Sequence, residues 1–350
     1  MFCEILMKAA RLYAPQNLKI EEVNIPEIND EEVLIENKVA LTCGTDLKMY
    51  KRGHPYAKLP LTIGHEFAGV IVKVGSKVKN FKKGDRVVAV NSAPCNTCFY
   101  CKRGKQNLCE KIEEDMIGFT IEGAYAQYVK VPAKIVKQNM HIIPEHISFE
   151  EAAILEPLAC VVHGNQLLNL NIKDDVAIIG SGPIGLLHLQ LIKAEGCKAI
   201  VIDLSKERLK VAEELGADIT INANEVNPIE EIKKITNGRG VDTAIEAVGL
   251  PETWRIAVAL TRKGGETLLF GGCKPGDLAE FDASHIHYGE LTIKGAFHHT
   301  PLAVEKALKL IVSKAIRIDK IISHRMNLSN IEDALKLMAE GKAVKVAITP

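Results

Sequence analysis

The stretch "VAIIGSGPIG", residues 176–185, decides the fold. Four apolar residues run into Gly180-x-Gly182-x-x-Gly185, and "PIGLLHLQLIKAEG" continues as a helix. A buried strand that turns through glycines into a helix opens a dinucleotide-binding unit. The first glycine permits the tight turn, the second lets backbone approach a pyrophosphate, and the third lets helix and strand pack closely. Pro183 and Ile184 complete the loop at the helix N-terminus, where free N–H groups and partial positive charge favour phosphate. Asp203 follows 23 residues after Gly180, closing the next apolar strand, "AIVIDL". A carboxylate there accepts both ribose hydroxyls and repels a 2′-phosphate, which favours NAD(H) over NADP(H). Lys206 and Arg208 lie nearby and pull the other way; Arg208 is a candidate cofactor contact. Val248, in "AVG" (247–249), and "FGG" (270–272) end later strands on the same edge. They read either as the lining of the nicotinamide end or as plain turns.

Outward from this motif, strands and helices alternate from about residue 174: "DDVAIIG", "AIVIDL", "SKERLKVAEELGA" with Ser205 as N-cap, "VDTAIEAVG", "GGETLLFGG" and "ELTIKGAF". Such alternation implies a doubly wound parallel sheet. Residues 1–150 have a different texture, with short β-like runs such as "EEVLIENKVAL", "FAGVIVKVG" and "DRVVAV" between Gly, Pro, Asn and Asp. Gly64, Gly69, Gly75 and Gly84 read as tight turns. After residue 301 come two amphipathic helices and a closing strand, "AVKVAITP". The β-rich region and the tail are expected to form one domain, with the α/β region inserted between them.

At 350 residues the chain is long enough for about two domains. It carries 44 basic and 44 acidic residues, a formal net charge of zero, and no basic stripe, which argues against nucleic-acid binding. No apolar run approaches the roughly 18 residues of a membrane span. The N-terminal stretch does not read as a signal peptide, so a cytoplasmic location is the expectation.

Nine cysteines are present, five of them scattered (Cys3, Cys43, Cys160, Cys197, Cys273). The other four crowd into "APCNTCFYCKRGKQNLCE", residues 93–110, as Cys95-x2-Cys98-x2-Cys101-x7-Cys109. Four thiolates at this spacing can close tetrahedrally around Zn²⁺ and leave no open position, which makes the site structural. A second set is dispersed: Cys43, Thr45, Asp46 and Tyr50 in "LTCGTDLKMY", His65 and Glu66 in "TIGHEFAG", and Glu156, Cys160 and His163 in "ILEPLACVVHG". Taken singly, Cys43 reads as a buried apolar residue, and Cys160 and His163 as core positions on one helix face.

Together these features resemble the zinc-dependent medium-chain dehydrogenase/reductase superfamily over essentially the whole chain. "GHEFAGVIVKVG" (64–75) matches its signature, the cysteine loop its structural zinc lobe, and the glycine motif with Asp203 its NAD site. The resemblance implies an α/β fold: a GroES-like β-rich catalytic domain over 1–158 and 297–350, and a Rossmann NAD-binding domain over 159–296. It implies two zinc ions per subunit. The catalytic one maps to Cys43, His65 and Glu156, with Glu66 contacting it directly or through water. Where classical alcohol dehydrogenases have a second Cys, this chain has Glu156 in "LEPLA", as in the sorbitol (L-iditol 2-) dehydrogenase branch. A harder carboxylate ligand allows a more flexible coordination number, which suits a vicinal diol. By the same resemblance Asp46 holds the free ring N–H of His65, and Thr45 or Glu66 passes the proton out.

The implied activity is NAD-linked, reversible oxidation of a secondary hydroxyl of a polyol or sugar-like small molecule to a ketone, in a homodimer or homotetramer. Where the sorbitol dehydrogenase branch has an Arg-Tyr pair that contacts the polyol, this chain has His298 and His299. Tyr50 and Phe119 are candidate pocket walls. Lys48 replaces a histidine found in threonine dehydrogenases, which weakens that reading. L-threonine, butanediol and sugar-phosphate substrates remain alternatives. So do a zinc-binding scaffold and a zinc-free quinone reductase, which NAD reduction and zinc stoichiometry would separate.

Overall fold

A computed structural model describes residues 6–350; Cys3 and the start of the N-terminal stretch lie outside them. The chain divides into two compact units, one running up to Ala159 and again from His299 to Pro350, the other Cys160–His298.

The first unit opens with β1 (Leu6–Ala14), β2 (Asn17–Asn24), β3 (Val33–Leu41), β4 (Leu61–Thr62), β5 (Glu66–Val74), β6 (Arg86–Ala89), β7 (Tyr128–Val131) and β8 (Met140–Ile142). The second contributes β9 (Asp175–Ile179), β10 (Lys198–Asp203), β11 (Ile219–Asn222), β12 (Val241–Glu246), β13 (Thr261–Leu269) and β14 (Thr292–Gly295). The chain then returns to the first unit with β15 (Ile322–Asn327) and β16 (Lys345–Thr349).

In the first unit a small antiparallel sheet runs β2-β1-β4, and a seven-stranded sheet runs β15-β16-β3-β5-β6-β8, with β7 beside β3. Its core gathers Val33, Ile35, Phe67, Ile71, Tyr125, Ile135 and Val346. Gly64 and Gly84 adopt left-handed φ values of +95° and +93°, as turns require. Gly69 differs from its sequence reading: it lies inside β5, opposite Asn37 of β3. A Cβ on Gly69 would meet the Glu36 carbonyl at 2.1 Å, so close approach of the strands, and not a turn, calls for glycine. Gly75 likewise carries no left-handed φ; a Cβ there would fall 2.4 Å from the Asp30 backbone.

The second unit is a six-stranded parallel sheet in the order β11-β10-β9-β12-β13-β14. The chain starts in the middle, winds outward, then returns to fill the other side, so the order reverses between β9 and β12. In open sheets of this kind ligands bind at the carboxyl ends of the strands beside that reversal. The strands read as continuous apolar runs because helices cover both faces. Ala177, Ile179, Ile200, Ile202, Ala244 and Leu260 form one core cluster. The helix Pro183–Ala194 starts on Gly182 with proline in its first turn, and Lys206–Glu214 is capped by the Ser205 hydroxyl, which accepts from Arg208 N at 3.3 Å. No helix among the described residues is long and apolar enough to cross a membrane.

Candidate metal centres and dinucleotide loop

The dispersed set is assembled by local structure. Cys43 caps the helix Gly44–Arg52: its sulfur accepts from Thr45 N at 3.5 Å, and Asp46 Oδ2 accepts from Cys43 N at 3.0 Å. This reciprocal cap fixes both side chains at one helix start. His65 and Glu66 enter from the beginning of β5, paired with β3 through Leu41 and Glu66. Donor atoms of Cys43, His65 and Glu66 lie within 4.8 Å of one another. Asp46 is fully buried, and its Oδ1 stands 3.0 Å from His65 Nδ1. That contact leaves Nε2 as the ring nitrogen available to a cation, the arrangement common to metal-bound histidines. The Phe119 ring lies 5.0 Å from the His65 ring, and the His54 ring 5.1 Å from Phe119.

Two partners in this cluster carried no sequence signal. Tyr125, fully buried, donates to Asp46 Oδ2 at 2.6 Å. Lys345, 1% exposed on β16, pairs with Glu66 Oε2 and donates to the Thr42 carbonyl at 2.8 Å. The other oxygen, Glu66 Oε1, is buried with no partner among the described residues.

The charges here reinforce a cation. Burial disfavours charge on His65, yet Asp46 and Cys43 outweigh it and hold the ring well above its usual pKa. Burial also opposes charge on Asp46, but His65 and the hydrogen bonds from Tyr125 and Cys43 keep its carboxyl below the usual value. Glu66 is pushed up to about 7, first by burial and then by Glu156, against the pull of Lys345 and His65. A metal ion placed beside Cys43 and His65 would give the orphaned Glu66 oxygen the partner it lacks. The donor set of thiolate, imidazole and carboxylate is one that zinc takes.

Glu156 does not fall in this group. Its carboxylate lies within 4.8 Å of a ring nitrogen of His299. His299 is 3% exposed, with Nε2 at 3.2 Å from Asn91 Oδ1. His298, at a left-handed φ of +61°, belongs to the other unit and lies against Phe297 at 5.6 Å between rings. The Tyr50 hydroxyl is committed to Glu332, at 2.9 Å. Thr45 is half-buried. Cys160 and His163, read as core, are half-buried instead.

The four-cysteine loop draws its sulfurs within 4.8 Å of one another, with Cys98 and Cys109 Sγ 4.0 Å apart. A tetrahedron with zinc–sulfur arms of about 2.3 Å has edges of about 3.8 Å, so the thiols stand at zinc-binding separations. Backbone N–H groups of Cys95 and Lys111 point at Cys109 Sγ at 3.2 and 3.3 Å. The Thr97 hydroxyl and amide draw Cys95 down to about 6, whereas burial pushes Cys101 up to about 12. A zinc ion bound here would take all four as thiolates, whatever their unequal values without it.

In the second unit Gly180 holds φ +97°, and a Cβ on Gly185 would sit 1.8 Å from the Gly180 carbonyl. Nothing lies within 4 Å of a Cβ built on Gly182, which leaves that stretch of backbone open to a ligand. Asp203 Oδ2 accepts from Ser181 N at 2.7 Å and Ser181 Oγ at 2.8 Å, and Oδ1 from Ser205 N at 2.9 Å. The carboxylate is thereby fixed beside the glycine loop at the end of β10. Lys206 is drawn off to Glu225, and Arg208 is half-buried with an unpartnered Nε. Val248 is 42% exposed, its N–H on Glu246 Oε1 at 2.8 Å.

Residues 29–143 match the alcohol dehydrogenase GroES-like domain family, and residues 183–313 the zinc-binding dehydrogenase family. A sorbitol dehydrogenase of Bacillus subtilis (strain 168) is 34% identical over 98% of this chain and 97% of its own. The chain belongs to the zinc-dependent medium-chain dehydrogenase/reductase superfamily. Within this superfamily it is also similar to an L-threonine 3-dehydrogenase of Symbiobacterium thermophilum, 33% identical over 99% of this chain and 98% of that one. A Sinorhizobium meliloti 1021 protein solved with bound NADP superposes with a TM-score of 0.92, at 32% identity over 99% of this chain and 100% of that one. The medium-chain dehydrogenase is thus an oxidoreductase of CH–OH groups, with the GroES-like and Rossmann architecture its sequence resembles.

Proposed function

We propose that this chain is a zinc-dependent, NAD-linked dehydrogenase that reversibly oxidises a secondary hydroxyl of a polyol or sugar-like substrate to the ketone. The observation that carries this reading is Glu66, a buried carboxylate beside Cys43 and His65 with one oxygen on Lys345 and the other unpartnered. Such an oxygen is costly unless a cation or a bound group completes it.

Cys43, His65 and Glu66 would hold the catalytic zinc, with Glu156 as the carboxylate that the resemblance assigns to it; Cys95, Cys98, Cys101 and Cys109 would hold the structural one. Bound zinc supplies Lewis acidity toward the substrate hydroxyl. Asp46 fixes the His65 ring through Nδ1, and Tyr125 fixes Asp46. Thr45 Oγ1 receives the hydroxyl proton and passes it outward. When bound, NAD⁺ would supply the acceptor for the hydride lost from the alcohol carbon, so that the two-electron oxidation balances. The open backbone at Gly182 and the helix start at Pro183 would receive its pyrophosphate, and Asp203 its adenosine ribose. The fixed Asp203 carboxylate and the diversion of Lys206 to Glu225 support NAD over NADP. Phe119 beside His65, and His299 oriented by Asn91, supply an apolar wall and a polar contact for substrate.

The test is a screen of polyols, sugars, sugar phosphates, secondary alcohols and L-threonine against both nicotinamide cofactors, on zinc-loaded protein. Turnover of vicinal diols with NAD is the expected result. Turnover of L-threonine alone, or a strict need for NADP, would overturn the substrate or cofactor assignment.

A further inference from the structure

At the carboxyl edge of the parallel sheet, Glu246 closes β12 as a fully buried carboxylate. Its Oε1 accepts three hydrogen bonds: from Val248 N at 2.8 Å, Gly249 N at 2.8 Å and Thr253 Oγ1 at 2.7 Å. Its main-chain carbonyl accepts from Phe270 N and Gly271 N, both at 3.0 Å. One residue therefore ties the loop after β12 to the loop after β13. Trp254 completes the strap, its indole Nε1 donating to the Gly271 carbonyl at 2.9 Å. Glu246 Oε2 is buried and unpartnered, 2.7 Å from where a Cβ on Gly271 would stand.

The strapped loop adjoins the glycine motif directly. Ala247 N donates to the Ile179 carbonyl at 2.9 Å, and a Cβ on Gly180 would strike Val248 Cγ2 at 2.7 Å. A buried carboxyl group costs free energy unless hydrogen bonds satisfy it. With three donors on one oxygen, the Glu246 side chain holds two consecutive amides in a fixed turn.

We infer that Glu246 is a positioning residue for the dinucleotide cofactor: its carboxylate sets the turn at Val248 and Gly249 that the cofactor meets beside Gly180. The inference rests on the nicotinamide-linked reading above. It predicts that shape, and not charge at the cofactor, is what Glu246 contributes, so a side chain that still offers an acceptor oxygen should restore function.

The chain's single tryptophan, Trp254, lies in this strap and reports on it directly. NADH is titrated into zinc-loaded wild type, Glu246→Gln and Glu246→Ala, following energy transfer from Trp254 to the dihydronicotinamide, with thermal unfolding measured alongside. Glu246→Ala releases all three hydrogen bonds, so its Kd for NADH should rise by at least about tenfold. Its KM for the cofactor should rise with the KM for alcohol unchanged. Glu246→Gln should stay within about threefold of wild type. If Glu246→Ala does not fold, Thr253→Val removes one of the three bonds and should raise the Kd about two- to tenfold. Unchanged NADH affinity in whichever of these two variants folds overturns the inference, as does equal weakening in Glu246→Gln and Glu246→Ala. A wild-type protein that binds no NADH would sink the nicotinamide reading itself, which the variants alone cannot do.

Discussion

Tyr125 donates a 2.6 Å hydrogen bond to Asp46, the same carboxylate whose other oxygen stands 3.0 Å from His65 Nδ1. The three form a buried chain from the β-rich core to the proposed zinc ligand. Gly64, just before His65, makes this possible: a Cβ there would fall 2.8 Å from the Tyr125 ring. Partners behind a metal-bound histidine typically matter by about 10–100-fold in metal affinity. Asp46→Asn should lose zinc in that range, because an amide cannot match the carboxylate's hold on the ring N–H. Tyr125→Phe should lose less, since Cys43 N still donates to the same Asp46 oxygen. Zinc retained during dialysis against a graded chelator measures both. Equal retention by wild type and Asp46→Asn would remove Asp46 from the metal's support.

Lys345 and Glu66 make a buried ion pair beside the same centre. Breaking a buried pair by removing one partner costs about 3–5 kcal/mol, because a charge is left uncompensated. Lys345→Met should therefore lower the unfolding midpoint strongly in the zinc-free protein. Adding Glu66→Gln removes the stranded charge and should recover part of the loss, although activity falls further. A denaturant titration of the two single variants and the double variant gives the coupling. Additive losses would show that the pair does not act as a unit.

The parts of this molecule that were legible in sequence are those whose signal is local. The glycine motif, its strand and its helix lie within some twenty residues, and "SKERLKVAEELGA" carried its own cap in Ser205. The four cysteines were legible for the same reason. Cys43, His65 and Glu156 are separated by loops with no periodic relation, so only the resemblance joined them. Lys345 was missed because a lysine in "AVKVAITP" reads as the solvent face of an alternating strand. In fact Lys345 to Ile348 are all buried, since β16 is an inner strand between β15 and β3. Glu246 left one faint sign, an acidic residue closing the apolar run "VDTAIE" on the cofactor edge. Gly69 was misread because glycine signals both turns and close strand packing, and only the pairing with β3 separates the two.

The two proposed zinc sites predict opposite phenotypes. Cys98 sits in a loop whose thiols would have no other cross-link, and a structural zinc contributes folding free energy directly. Cys98→Ser should lower the melting temperature and disturb assembly first. Cys43→Ser should remove activity with a smaller change in melting temperature. Differential scanning calorimetry with parallel activity assays separates them, and total zinc should fall from about two per chain toward one in each case. Loss of turnover in Cys98→Ser at unchanged stability would overturn the structural role.

His188 gives a prediction in the other unit, away from any metal. It is fully buried on the helix Pro183–Ala194, with Nδ1 at 2.7 Å from Asn165 Oδ1 and its ring edge-on to Phe270 at 4.8 Å. Nε2 is buried without a partner among the described residues, so a proton there would have nothing to bond. Burial accordingly pushes the pKa down to about 3. Unfolded, the same ring titrates near about 6.5. Below that pH the unfolded chain binds a proton the folded one refuses, so this histidine's contribution is intact above about 6.5 and drains away as pH falls toward about 3. The slope is at most about 1.4 kcal/mol per pH unit, or about 2 kcal/mol lost by pH 5. His188→Gln keeps a donor for Asn165 but cannot titrate, and its stability should fall less steeply between pH 6.5 and 5. Trp254 fluorescence follows unfolding in zinc-loaded wild type and variant measured side by side, so acid release of zinc acts on both curves alike. Parallel stability–pH curves for wild type and variant would mean that His188 is reached by solvent protons in the folded state.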